Sequence, residues 1–354
     1  MKITPLLCCL AAMLPMVAHA DDLQPADSKN IQYVGRVDFS NPKLPRFWSP
    51  GVYVKAKFRG TYCNVVLNDQ VLWGNSHNYV EIAVDDQPPV RVQTTGPINT
   101  IAAAKNLADG VHTITVCKDT EAGNGYLELV GFRCEALVKP APLPRRKIEF
   151  IGDSITCGFG NDASAVACGK GQWYDQHNAY MAYGPVTARR LDSQWALTSV
   201  SGIGMFHSCC DHTTTMPQVL DRMNIGDAGD PGKWDFSRYQ PDIVTICLGQ
   251  NDGGDHADEF RKTYVDFLHT LRQDYPKAEI VCLTSPMADP NLDKIMQANL
   301  TWIVDQVTQA GDKHVRTFFF DHHYNGGCAT HPNMDEDAKI ADELVPALTS
   351  TMKW

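Results

Sequence analysis

Four short runs in this 354-residue chain carry side chains suited to acyl transfer. The first is Ile148-Glu149-Phe150-Ile151-Gly152-Asp153-Ser154, an apolar run that breaks at Gly152 and delivers a serine. A hydroxyl at the carboxyl end of a buried strand stands where ligands of open α/β sheets bind. The second is Ser199-Val200-Ser201-Gly202-Ile203-Gly204, in which Gly202 leaves a bare backbone N–H able to approach a substrate oxygen. The third is Leu248-Gly249-Gln250-Asn251-Asp252, closing the apolar run 243–248. An asparagine amide there can donate to a developing oxyanion. The fourth is Cys328-Ala329-Thr330-His331-Pro332-Asn333, with His331 placed to act as general base and Pro332 stiffening its loop. Each run also has a plain structural reading: a helix-capping serine, a glycine turn, an Asn turn with Asp252 capping the next helix, and an exposed histidine. Jointly, and in this order, they describe a nucleophile, its oxyanion donors and its base.

The elements that must position these residues are legible as a period change along the chain. After residue 146, strands predicted at 147–152, 195–200, 242–248, 278–284 and 315–320 alternate with helices at 176–192, 256–274, 291–310 and 336–350. Helix 291–310 has Ile295, Leu300, Ile303, Val304 and Val307 on one broad apolar face. That alternation predicts a three-layer α/β/α domain with a mainly parallel sheet. Residues 25–138 instead read as many short strands broken by turns, as in Val52–Phe58 and Tyr79–Val84. They predict a jelly-roll-like β-sandwich, whose Trp48, Tyr53, Tyr62, Trp73 and Tyr79 either stack on sugar rings or fill its core. Pro140, Pro142 and Pro144 make a stiff connector between the two. The boundaries are therefore 21–138 for the sandwich, 139–146 for the linker and 147–354 for the catalytic domain.

The series of four runs resembles the SGNH (GDSL-type) hydrolases, named for the Ser, Gly, Asn and His of four sequence blocks. The resemblance covers essentially all of 147–354. It implies Ser154 as nucleophile, His331 as base, and an oxyanion hole made by the Ser154 and Gly202 N–H groups and the Asn251 side chain. A preceding β-sandwich and the segment Asn178-Ala179-Tyr180-Met181-Ala182-Tyr183-Gly184 are similar to carbohydrate esterase family 2. That resemblance implies an exported acetyl esterase acting on acetylated plant cell-wall polysaccharides or oligosaccharides, with no metal or organic cofactor. SGNH enzymes commonly carry an aspartate two or three residues before the histidine, where this chain has Ala329 and Cys328. The ring is then oriented either by a carbonyl of the 328–330 loop, as in Ser–His dyads, or by Asp321. In the long loop 161–175, Trp173 and Tyr174 are candidate platforms for a pyranose.

Composition sets the surroundings. The formal charge of −10, with 44% hydrophobic and 20% charged residues, describes a folded acidic protein without a basic footprint for nucleic acid or anionic lipid. Lys2, the apolar stretch Leu6–Val17 and Ala18-His19-Ala20 read as a signal peptide cleaved near Ala20. A membrane anchor is the competing reading, but the stretch is short and broken by Pro15. Export gives the cysteines of the mature chain a compartment in which disulfides persist, with pairings open and with Cys247 and Cys282 inside apolar runs as core thiols. Three rival functions follow: a GDSL-type lipase or arylesterase, a carbohydrate-binding protein with a vestigial hydrolase domain, and a metal hydrolase using His207, His212, His256, His322 and His323.

Overall fold

In the computed structural model, residues 23–226 and 232–354 are described; the signal-peptide reading and its cleavage point lie outside them. The N-terminal part is an antiparallel sandwich of two sheets. One has Leu23–Pro25, Leu127–Arg133, Cys63–Asp69 and Ile98–Ala104 as consecutive neighbours, with Arg46–Phe47 also paired to Leu127–Arg133. The other orders Ala136–Val138, Tyr53–Arg59, Val111–Lys118, Tyr79–Val84 and Val90–Gln93, with Ile31–Val34 on the outer side of Tyr53–Arg59. Alternation along these strands sends Val54, Ala56 and Phe58 into the space between the sheets, where they meet Val65, Leu67, Leu129 and Phe132. Of the five candidate stacking aromatics, Trp48, Tyr53 and Tyr79 are buried, whereas Trp73 is 78% exposed.

The C-terminal domain, whose elements are numbered from its own first strand, is a five-stranded parallel sheet flanked by helices. Its strands are β1 (Arg146–Gly152), β2 (Ser193–Ser199), β3 (Ile243–Cys247), β4 (Glu279–Leu283) and β5 (Val315–Phe318). They lie in the order β2-β1-β3-β4-β5, all parallel. The strand order changes side at β1, with β2 on one flank and β3 on the other, so the carboxyl ends of β1, β2 and β3 border the topological switch point. The helices are α1 (Ser154–Cys157), α2 (Tyr183–Arg190), α3 (Met216–Val219), α4 (Ala257–Asp274), α5 (Pro290–Gln309) and α6 (Met334–Met352). Alternate residues of the strands feed two cores. Ile148, Phe150, Ile243 and Cys247 join Tyr183, Ile340, Leu344 and Leu348 of α2 and α6. Ile151, Val244 and Ile246 join Phe260, Phe267, Leu300 and Ile303 of α4 and α5.

One predicted helix is shorter than expected. Over 176–192 the chain forms only a short 3₁₀ turn, Ala179–Met181, before α2 begins at Tyr183. The Asn178 side chain caps that turn at Met181 and also donates to Glu81 and Asp162, so it is committed to distant partners rather than a helix.

The linker is not a free tether. The Pro144 carbonyl accepts from Gln194 Nε2 at 2.6 Å and that of Ala141 from Gln32 Nε2 at 2.9 Å. The two domains also share a core, since Val34, Trp48, Tyr53 and Cys117 of the sandwich belong to the same buried cluster as Trp195 and Leu197 of β2. Tyr53 stacks on Trp195 at 4.0 Å, and Trp195 Nε1 donates to the Gly51 carbonyl at 2.9 Å. Arg36 crosses the junction, donating to the carbonyls of Leu220 and Arg222 and standing 3.7 Å from buried Glu149.

Candidate active site

Gly152 ends β1 because no side chain fits there: a β-carbon would stand 2.0 Å from Thr156 Oγ1. The chain turns at Asp153, whose carboxylate accepts the Ile155 N–H at 3.0 Å and caps α1. Ser154 is thereby fixed at the first position of a one-turn helix, 7% exposed. Burial pushes the Asp153 carboxyl up to about 7, with the nearby Asp252 carboxylate adding to the effect.

His331 arrives from the opposite end of the sequence. Its Nε2 stands 2.8 Å from Ser154 Oγ, and its Nδ1 is 3.0 Å from the Ala329 carbonyl oxygen. With Nδ1–H donating to that carbonyl, Nε2 is the lone-pair nitrogen facing the serine hydroxyl. The carbonyl is aimed by an unusual backbone. Ala329 and Thr330 both take left-handed conformations, at φ 50° and 60°, and neither is glycine. Two such residues in a row cost on the order of 1–3 kcal/mol each, so the surrounding contacts must over-determine the loop. The Cys328 N–H donates to Gly160 O, the Gly327 N–H to His331 O, and Cys168 is disulfide-bonded to Cys328. Burial lowers the His331 imidazolium below the ordinary histidine range, and the hydrogen bond to Ala329 only partly restores it. Asp321 does not reach this ring: its backbone N–H donates to Glu343, it is exposed, and Ala329 holds Nδ1.

Gly202 follows β2 with φ +81°, and a β-carbon there would lie 2.8 Å from the His212 ring and 3.2 Å from Cys209 Sγ. Among the described residues neither the Ser154 nor the Gly202 N–H has an acceptor, so both donors are free. Asn251 Nδ2 donates to the Ile203 carbonyl at 2.9 Å and leans on Asp153 Oδ2 at 3.3 Å. The first bond orients the amide; the second is long and readily yielded to a stronger acceptor. Asp252 does not cap the next helix. Its carboxylate accepts three backbone N–H groups, from Met205, Phe206 and His207, and so ties the segment after Gly202 to β3. The α4 N-cap is His256, which makes no side-chain cap bond.

The candidate sugar platforms separate. Trp173 is 45% exposed and packs edge-on against His177 at 4.9 Å, in a ring-to-ring series that continues through Phe159 to His331. Tyr174 is buried, its hydroxyl accepting the His77 N–H and donating to the Asn75 carbonyl, so its face is closed to a ligand. The five histidines of the metal reading are dispersed: His322 pairs with Glu343, His323 with the Ala288 carbonyl, and His256 packs on Phe206. No cluster of three metal-ligating side chains occurs among the described residues. A second disulfide joins the adjacent Cys209 and Cys210, while Cys247 and Cys282 are buried thiols.

A serine within hydrogen-bond reach of a carbonyl-held histidine, beside free backbone donors, is an arrangement suited to acyl transfer. Residues 150–342 match the GDSL-like lipase/acylhydrolase family, and residues 33–144 match the carbohydrate esterase 2 N-terminal domain. The chain belongs to carbohydrate esterase family 2. Over 95% of its length it is 30% identical to the cellulase/esterase CelE of Acetivibrio thermocellus, spanning 41% of that protein. It is 29% identical to an acetylxylan esterase / glucomannan deacetylase of Cellvibrio japonicus, covering 93% of this chain and 91% of the relative. A family 2 carbohydrate esterase of Clostridium thermocellum, solved in complex with cellohexaose, superposes with a TM-score of 0.82 at 30% identity, over 92% of this chain and 99% of that one. As in that family, an SGNH-type parallel domain follows an antiparallel sandwich.

Proposed function

We propose that the chain is an exported serine esterase that removes O-acetyl groups from plant cell-wall polysaccharides or oligosaccharides such as xylan and glucomannan. The observation that carries this reading is the 2.8 Å approach of His331 Nε2 to Ser154 Oγ beside two unspent backbone donors. His331 takes the Ser154 proton as Oγ attacks the ester carbonyl. The developing oxyanion is received by the Ser154 and Gly202 N–H groups and by Asn251, whose amide gives up its long contact with Asp153. The sugar alkoxide leaves with the proton that His331 returns, and His331 then activates water to hydrolyse the acetyl-enzyme. Through all of this the Ala329 carbonyl fixes the tautomer of the ring, and as a dipole it stabilises the imidazolium less than a carboxylate would. The acetyl and sugar specificity is supported by the activity named for the Cellvibrio japonicus relative. Export is supported by the Lys2–Ala20 pattern and by the Cys168–Cys328 disulfide next to the catalytic base.

Acetate release from acetylated xylan, acetylated glucomannan and 4-nitrophenyl acetate, by the wild type and Ser154→Ala side by side, tests the proposal. Release that the substitution abolishes in a folded protein is the expected result. Equal release by both proteins overturns the mechanism, and faster turnover of long-chain acyl esters than of acetylated glycans overturns the substrate class.

A further inference from the structure

The loop that follows sandwich strand Val111–Lys118 does not stay with the sandwich. Residues Asp119–Asn124 run into the catalytic domain. The Ala179 N–H and Tyr180 N–H donate to Asp119, and Ala122 lies so close to Gly226 that a β-carbon on that glycine would meet the Ala122 β-carbon at 2.6 Å. At the tip of the loop Glu121 is 3% exposed. Its Oε2 accepts the Ser201 backbone N–H at 2.8 Å, and its Oε1 accepts the Ser201 hydroxyl in a short hydrogen bond. The loop is shaped from inside by Lys118, whose ammonium donates to the carbonyls of Thr120 and Glu121 at 2.6 and 3.0 Å. Ser201 immediately precedes Gly202.

We propose that Glu121, contributed by the N-terminal β-sandwich, is a positioning residue for the esterase reaction: by gripping Ser201 at two points it fixes the turn that presents the Gly202 N–H to the oxyanion. This rests on the oxyanion assignment made above. A glycine at φ +81° has access to more backbone conformations than any other residue, and among the described residues its peptide N–H has no acceptor. Its neighbours must therefore set its direction. On the far side Asp252 anchors residues 205–207 and Asn251 binds the Ile203 carbonyl. On the near side the side-chain anchor is Glu121, and it comes from the other domain. The sandwich thus completes the catalytic machinery rather than only holding a glycan.

The conservative variants Glu121→Asp and Glu121→Gln, with Ser201→Ala and Glu121→Asp/Ser201→Ala, test this, each assayed for kcat, KM and inhibition by a small boronic acid. Boronic acids form a tetrahedral adduct on the serine that mimics the oxyanion. Shortening by one methylene withdraws the carboxylate, and Glu121→Asp is expected to lower kcat about 10- to 100-fold with KM within about threefold, short of the 10²–10³ typical of a donor removed outright. Boronate affinity should fall in parallel. Glu121→Gln keeps an oxygen for the Ser201 N–H and should recover to within about fivefold of wild type. Ser201→Ala should cost little alone and nothing further in the double variant. The proposal is overturned if Glu121→Asp turns over within twofold of wild type. It is also overturned if kcat falls while boronate affinity holds, or if Glu121→Gln is as impaired as Glu121→Asp. Inactivity of Ser154→Ala in the same assay separates failure here from failure of the serine mechanism itself.

Discussion

At the scale of single residues, the proposed chemistry rests on His331 acting as a neutral base. His331 is lowered by burial, and it works only when unprotonated, so activity should persist as pH falls through the ordinary histidine range near 6.5 and be lost below it. A kcat/KM profile on 4-nitrophenyl acetate with its acidic midpoint at or above 6.5 would contradict that assignment. Asn251→Ala should lower kcat by about 10²–10³ with KM little changed, measured by steady-state kinetics on the same ester. The proposed site residues Ser154, Gly202, Asn251 and His331 can be picked out in the sequence because each follows its own strand and carries a side chain, or lacks one, for a chemical reason. What orients His331 was only half legible. A missing aspartate can be read from Ala329 and Cys328, but a carbonyl belongs to every residue, and its direction depends on two positive φ angles that no residue type at 329 or 330 announces. Glu121 was not legible at all, because its partner lies 80 positions away in another domain.

Among the elements, the loops at the sheet's carboxyl edge decide whether those residues meet. The Cys168–Cys328 bond ties the long loop 161–175 to the turn that carries Ala329 and His331. Replacing both cysteines by serine should destabilise the fold by about 2–4 kcal/mol, read as a lower Tm, and should lower kcat more than it raises KM. Gly202→Ala places a β-carbon against the His212 ring at a φ unfavourable to alanine, so a kcat loss of about tenfold or more is expected from oxyanion-loop displacement alone. The strands and three of the four predicted helices were readable to within a few residues, because buried parallel strands are continuous apolar runs and α4, α5 and α6 are long and periodic. The segment 176–192 is helical only from Tyr183 to Arg190, because long-range bonds from Asn178 overrule the helix-like composition of its first part.

Taken whole, the molecule is two folds with one seam. Trp195 on Tyr53 and Arg36 beside Glu149 bury groups that a severed domain would expose, so calorimetry should show a single unfolding transition rather than two. Arg36→Ala leaves Glu149 buried without its cation and should cost about 3–5 kcal/mol, measurable by urea denaturation. The disulfide beside the base carries a further consequence for how the protein is born. Its two halves are 160 residues apart, so in the exported chain proposed above Cys168 enters an oxidising compartment ahead of Cys328. Meanwhile Cys209 and Cys210 follow, and by closing on each other they withdraw as rivals for Cys168. On that reading maturation follows the order in which thiols arrive, and a reduced, unfolded chain returned to oxidant all at once loses that order. Its recovery of activity should then rise with an added disulfide isomerase.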